Sequence, residues 1–286
     1  MAKTSVLVTK ASGEVVPFSE DKLRASLERS GATEKQVNEV VGEVSEVLYQ
    51  GMETGKIYKK AHHLLRKKSH SNAARYKLKK AIMELGPSGY PFEKFVGAIL
   101  EQQGYATKVG VMLPGRCVQH EVDVLAQKNS KIILAECKFH NKPGVKCDVK
   151  VPLYIHSRFR DVKNGRTKYG DTEIQEFEGW IVTNTRFTVD ALKYGQCSGL
   201  MMLGWDQPAR DSLKVRIGRA GLHPVTCLST LQNKAKAHLL KNGIVLCRDI
   251  LADKSSLYQL GLSDRRVTKV LSECNDLVKK LDVPLD

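Results

Sequence analysis

The stretch VQHEVDVLAQKNSKIILAECKF (118–139) decides how this chain reads. Two largely apolar runs, 118–126 and 131–139, flank a short polar segment, which is the pattern of a β-hairpin. Side chains alternate in direction along a strand. In the first run Gln119, Glu121, Asp123 and Leu125 therefore share one face, and Val118, His120, Val122 and Val124 share the other. In the second run Ile132, Leu134, Glu136 and Lys138 share a face opposed to Ile133, Ala135 and Cys137. Asp123, Glu136 and Lys138 can thus meet on one side of one hairpin. Two carboxylates and a lysine at the ends of mainly hydrophobic strands are costly if buried unpaired. The residues leave two readings open. One is an ordinary salt bridge between strands, worth at most about 1 kcal/mol. The other is a site for a divalent cation, with Asp123, Glu136 and the Cys137 carbonyl supplying hard oxygens. Glu121 shares the face and reads as a solvated neighbour rather than a further ligand. His120 points the other way.

Outward from the hairpin, the pattern alternates. A helix over 92–103 and a strand near 106–112 precede it. Pro152 opens a helix to about 163, and strand 179–184, helix 188–195 and strand 199–203 follow. Strands alternating with helices imply an α/β sheet. Gly86-Pro87-Ser88-Gly89 is the strongest punctuation and marks an expected boundary. Before it lie a short strand at 6–10, a partner at Val15-Val16, helices over 20–30 (with Ser19 as N-cap) and 34–49, and a basic helical region over 56–84. After about 206 the pattern is helical, with helices expected at 224–240, 245–252, 255–259 and 264–280. The chain is accordingly expected to be a multi-domain α/β protein of three modules, 1–86, 87–206 and 207–286.

The composition bounds the partner. Among 286 residues, 46 Lys+Arg stand against 31 Asp+Glu, a formal charge of +15. That excess suits a polyanion, nucleic acid first and an anionic membrane surface second, or mere self-repulsion. No apolar stretch approaches the roughly 20 residues needed to cross a bilayer, and no secretory h-region opens the chain. The seven cysteines, an odd number without a CxxC spacing, argue against a disulfide framework or zinc ribbon and for the cytoplasm.

Two families come into view once these residues are placed. Asp123…Glu136-Cys137-Lys138 resembles the PD-(D/E)xK nuclease signature. The flanking order, YPFEKFVGAILEQQGY (90–105) before the hairpin and GWIVTNTRFTVDALKYG (179–195) after it, resembles Mrr-type restriction endonucleases. The resemblance implies a restriction-endonuclease-like α/β/α core. It also implies Mg²⁺ or Mn²⁺ on Asp123 and Glu136, Lys138 serving the attacking water, and Glu93 joining from the preceding helix.

Residues 4–86 resemble an ATP-cone domain through Val8, Lys10, Gly13, Val16-Pro17-Phe18, Lys22-Leu23 and SNAARYKLKK (71–80). That likeness implies ATP or dATP as an effector bound by Lys10, Lys22 and Lys80. Where the family usually carries Lys-Arg-Asp-Gly, this hairpin has Lys10-Ala11-Ser12-Gly13. The run LYQLGLSDRRVTKVLSECNDL (257–277) resembles a helix-hairpin-helix, with Arg265 and Arg266 at the start of its second helix placed for DNA phosphates. Arg158, Arg160, Lys163, Arg166 and Lys168 flank the hairpin site and suit phosphate tracking.

The expectation is a Mg²⁺-dependent DNA endonuclease acting on duplex DNA in restriction or defence, with a nucleotide-sensing module. By resemblance it leaves 5′-phosphate and 3′-hydroxyl ends, and a homodimer is expected. The alternatives are a non-catalytic, nucleotide-responsive DNA-binding regulator and a junction-resolving or repair nuclease.

Overall fold

The computed structural model describes residues 6–10, 12–165, 168–170 and 172–279; Ala11 and Arg166 lie outside them. The N-terminal part is mainly helical: β1 (Leu7–Thr9), β2 (Val15–Pro17), α1 (Glu20–Glu28), α2 (Glu34–Ser45), β3 (Met52–Glu53), α3 (Thr54–Lys68), α4 (His70–Tyr76) and α5 (Leu78–Met83). Ser19 caps α1 by accepting the Lys22 N–H, as its sequence position predicts. Thr33 and Gln36 form a capping box on α2. The basic region expected as one helical segment divides into α3, α4 and α5. Ser69 makes the first break, in extended backbone, and its hydroxyl caps α4. Val8, Leu27, Val40, Val44 and Leu65 form the local core.

The central part follows as α6 (Tyr90–Glu101), β4 (Ala106–Pro114), β5 (Gln119–Lys128), β6 (Lys131–Lys138), β7 (Lys146–Cys147), α7 (Lys150–Gly165), β8 (Lys168–Tyr169), β9 (Thr172–Glu173), β10 (Glu176–Thr183), β11 (Arg186–Phe187), α8 (Val189–Cys197) and β12 (Met201–Leu203). Five strands make one sheet in the order β12-β10-β6-β5-β4. The hairpin pairs antiparallel, whereas β10 and β12 add in parallel after helical crossovers.

Helices cover both faces. Val124, Ala126, Ile133 and Ala135 pack against Phe92 and Phe95 of α6. Leu125, Ile132, Leu134 and Ile181 pack against Ile155, Phe159 and Val162 of α7. That double covering explains why β6 reads as a nearly unbroken apolar run. Period two holds from Val124 to Ala126 and from Ile132 to Ala135, but Val122, expected on the face of Val124, packs with Leu125 on the α7 side, so the alternation breaks at Asp123, opposite the positive-φ Gly110.

The C-terminal part is helical, as expected: α9 (Leu213–Ala220), a 3₁₀ turn (Val225–Cys227), α10 (Asn233–Lys241), α11 (Cys247–Ala252), α12 (Ser255–Tyr258) and α13 (Asp264–Val278). The helix expected over 224–240 is shortened at its start. Residues 228–232 instead form a turn, whose Ser229 and Thr230 N–H groups donate to the Glu273 carboxylate at 2.7 and 2.9 Å. Leu213, Ile217, Val245 and Leu246 join the cluster that holds Ile82, Leu85 and Phe92, so one apolar core bridges the residues expected to begin and end the central module. No helix among the described residues is long and apolar enough to cross a membrane.

His223 begins the last stretch fully buried, and its Nδ1 has no hydrogen-bond partner. Burial, followed by the nearby Arg75 charge, lowers its pKa to about 4. The unfolded chain, with an ordinary histidine near 6.5, binds this proton first. Stability from this group is therefore complete above about pH 6.5 and falls as the pH drops toward 4. Moving from pH 7 to pH 5 is expected to cost about 2 kcal/mol through His223 alone. Urea titrations at the two pH values check this, because His223→Gln should reduce the difference by about that amount.

Candidate active site

The β5–β6 ladder ends at the pair Val124↔Ala135. Beyond it the strands part, and the Asp123 carboxylate enters the gap, where its Oδ2 accepts the Cys137 N–H at 2.7 Å. On the neighbouring strand, Val109↔Val124 and Val111↔Val122 bracket Gly110, which stands opposite Asp123 with φ +64° and open space where a side chain would project.

Glu136 is only 4% exposed. Its Oε1 accepts from Lys138 Nζ at 2.7 Å and its Oε2 from Arg158 Nη1 at 3.1 Å. Arg158 also donates to the Glu121 carbonyl and lies over the Tyr154 ring. A buried carboxylate divided between two cations holds its orientation, and removing either cation leaves charge uncompensated.

Glu93, in the first turn of α6, belongs to the other helical layer. Its carboxyl is pushed up to about 7, first by burial and then by the charges of Asp123, Glu121 and Glu136. Asp123 is raised as well, by burial and then by Glu136, against the Cys137 hydrogen bond that favours its anion. Three acids thus crowd negative charge that Lys138 and Arg158 do not fully offset.

The backbone leaving Lys138 is clamped from β10. Thr183 Oγ1 donates to the Lys138 carbonyl at 2.7 Å. Asn184, fully buried, accepts the His140 N–H at 2.8 Å and donates to the His140 carbonyl at 2.7 Å. The Val182-Thr183-Asn184 step noted in the sequence therefore fixes where β6 delivers its lysine.

The other expected residues distribute as follows. Cys137 turns its thiol into the α6-side core, where burial pushes its pKa up, so only its backbone faces Asp123. Arg158 turns inward to Glu136, while Arg160 and Lys163 stay exposed on α7. Inward placement of Arg158 is readable in retrospect, because it belongs to the stripe Ile155, Arg158, Phe159 and Val162. Glu121 is exposed on the rim, and His120, expected on the opposite face, instead turns toward α7, where it pairs with Asp161 at 2.8 Å. Lys10 pairs with Glu14 and Lys80 with Glu84, and Lys22 is exposed. Arg265 and Arg266 are exposed at the start of α13. Among the described residues, no group of three or more His, Cys, Asp or Glu forms a ready-made metal cage.

Comparison with known proteins gives four likenesses. The family model described as AF1548-like, C-terminal matches residues 223–278. A protein of Archaeoglobus fulgidus described as uncharacterized is 35% identical over 181 residues, which span 63% of this chain and 98% of that protein. The crystal structure of AF1548, described as a protein of unknown function, shares 32% identity. It covers 67% of this chain and 98% of its own, with a TM-score of 0.54. The MspJI restriction endonuclease in complex with a 27-mer oligonucleotide shares 11% identity at a TM-score of 0.33, over 73% of this chain and 38% of that one.

Proposed function

The chain belongs to the AF1548-like family, and from that footing we propose that its carboxylate–lysine site hydrolyses phosphodiester bonds, as a DNA endonuclease working with bound Mg²⁺ or Mn²⁺. One observation carries the reading. Glu93, Asp123 and Glu136 bring negative charge together from both layers of the sheet, beside a lysine 2.7 Å from Glu136.

The donor set fits the ion. Mg²⁺ takes hard oxygens, commonly one or two carboxylates, and completes its shell with water and phosphate, so it needs no preformed cage. Asp123 has one oxygen on the Cys137 N–H and its other oxygen without a hydrogen bond among the described residues. Asp123 and Glu136 would hold the ion, with Glu93 supporting it. When bound, such an ion offsets charge on a phosphoryl oxygen and lowers the pKa of its water.

The protein's own groups do the rest. Lys138, fixed by Glu136 and by the Thr183 clamp on its carbonyl, orients the attacking water with its remaining ammonium protons. Arg158 keeps Glu136 in one rotamer. Arg160 and Lys163, on the exposed side of α7, track phosphates beside the scissile bond. Attack forms a water-derived O–P bond and breaks the P–O3′ bond, which leaves 5′-phosphate and 3′-hydroxyl ends.

The test is cleavage of plasmid, methylated and branched DNA with Mg²⁺ or Mn²⁺, compared with chelator. Metal-dependent cutting is expected, and no cutting of any substrate with either ion sinks the proposal. Two sets of variants separate the roles on α7. Arg158→Gln should slow cleavage by about 10- to 100-fold at unchanged DNA affinity, because it frees a group that orients the site. Replacing Arg160 and Lys163 by Gln should weaken binding and lower the slope of log affinity against log salt by about 1 to 2.

A further inference from the structure

Between the N-terminal helices and α13 lies a cavity of about 680 Å³ lined by residues of polar and charged type. One wall is the end of α3 and the start of α4, with Arg66, Ser69 and His70. The other is α13, with Arg266 and Lys269, and the Ser229–Thr230 turn joins the two. His70 Nδ1 and Ser229 Oγ meet across the seam at 3.0 Å.

The charge in this cavity is unbalanced. Among the described residues, Arg66, Arg266 and Lys269 make no ion pair. The two acids on the lining are already engaged. Glu273 is 4% exposed, and its oxygens accept the Ser229 and Thr230 N–H groups and the Thr230 hydroxyl at 2.7 to 2.9 Å. Asp276 pairs with Lys279 at 3.2 Å, outside the cavity lining. Glu273 therefore holds the turn and makes no contact ion pair with any of the three cations, which outnumber the two acids of the lining.

We propose that this cavity binds a ligand carrying two or more adjacent phosphates. Three positive groups from two walls match the charge of a di- or triphosphate better than that of a single phosphate. Guanidinium groups donate paired hydrogen bonds to phosphate oxygens, and the lysine adds a point charge. Serine hydroxyls of the lining, Ser272 among them, supply further donors. The volume is that of a small-molecule site. The lining includes neither the hairpin lysine Lys10 nor Lys22 of α1, and none of the carboxylates of the central sheet. It is built by two parts of the chain at once, so an occupant would tie the N-terminal helices to α13.

Calorimetric titration of the full chain with inorganic triphosphate, ATP and a short DNA duplex tests this. The wild type is expected to take up triphosphate at a single site. The Arg266→Gln, Lys269→Gln double variant should bind at least about tenfold more weakly, from the loss of two charge-assisted contacts. Arg66→Gln, on the opposite wall, gives an independent check, and unchanged thermal midpoints show that both variants fold. Uptake of triphosphate without ATP supports the free oligophosphate as ligand, and uptake of both supports a nucleotide. No heat from triphosphate or ATP at millimolar concentration overturns the proposal, as does equal binding by wild type and both variants. Duplex affinity that falls in the variants while triphosphate gives no heat also overturns it, and assigns these cations to DNA contact.

Discussion

Lys138→Ala is expected to cut duplex DNA about a thousandfold more slowly than the wild-type chain while binding uncut duplex almost equally well. The size follows from what the lysine does. An oriented proton-transfer or water-positioning group contributes on the order of 10² to 10⁴ in rate, and Lys138 is the ammonium hydrogen-bonded to the buried Glu136. Its carbonyl is held by Thr183, so the backbone of β6 has no reason to move when the side chain is removed.

Glu136→Gln should lose at least as much. An amide has one acceptor oxygen for two cationic donors, so either Lys138 or Arg158 is left facing an NH₂ group. The measurement is single-turnover cleavage in Mg²⁺, with duplex affinity taken separately in Ca²⁺ and thermal melting as the folding control. Cutting by both variants at the wild-type rate would remove the site from the sheet end altogether.

Much of that site was legible in the chain because the rule that places it is local. Leu125, Leu134, Asp123 and Glu136 fall on one face by counting alone, and a sheet covered on both faces leaves no freedom to slip the register by one residue. The N-cap Ser19 was similarly local.

Features set by distant partners were not legible. Met52-Glu53 forms a strand only because it pairs in parallel with Val8-Thr9, which no two-residue pattern announces. The turn at Ser229-Thr230 interrupts an expected helix because Glu273, more than forty residues on, takes up its N–H groups. Arg158 looked like one more solvent-facing cation on a basic helix. Its inward turn depends on a carboxylate across the sheet, and a long side chain with a charged tip reads the same in sequence either way. The polar cavity was invisible for the same reason, since its walls come from 66–71 and 229–276.

Two glycines with nearly the same backbone give a second test, this time of how α13 is anchored. Gly221, the C-cap of α9, has φ +64°, and Gly261, before α13, has φ +70°. A residue with a Cβ costs about 1 kcal/mol in that left-handed conformation at either place. Their surroundings differ. A Cβ at Gly261 meets nothing within 4 Å, whereas one at Gly221 would lie 2.4 Å from the Val278 carbonyl oxygen. That oxygen is backbone, and it cannot swing aside as a side chain would. The end of α13 is also pinned by Arg75, which donates to the carbonyls of Asp276 and Lys279.

Gly261→Ala should therefore cost about 1 kcal/mol, and Gly221→Ala about 3 kcal/mol once overpacking is added. For a chain of this size that is a fall in melting temperature of about 2–4 °C against about 6–12 °C. Differential scanning calorimetry of the two variants distinguishes them. A Gly221→Ala chain that melts with or above Gly261→Ala would mean that the end of α13 yields, and a wall that yields could not hold Arg266 and Lys269 in fixed opposition to Arg66.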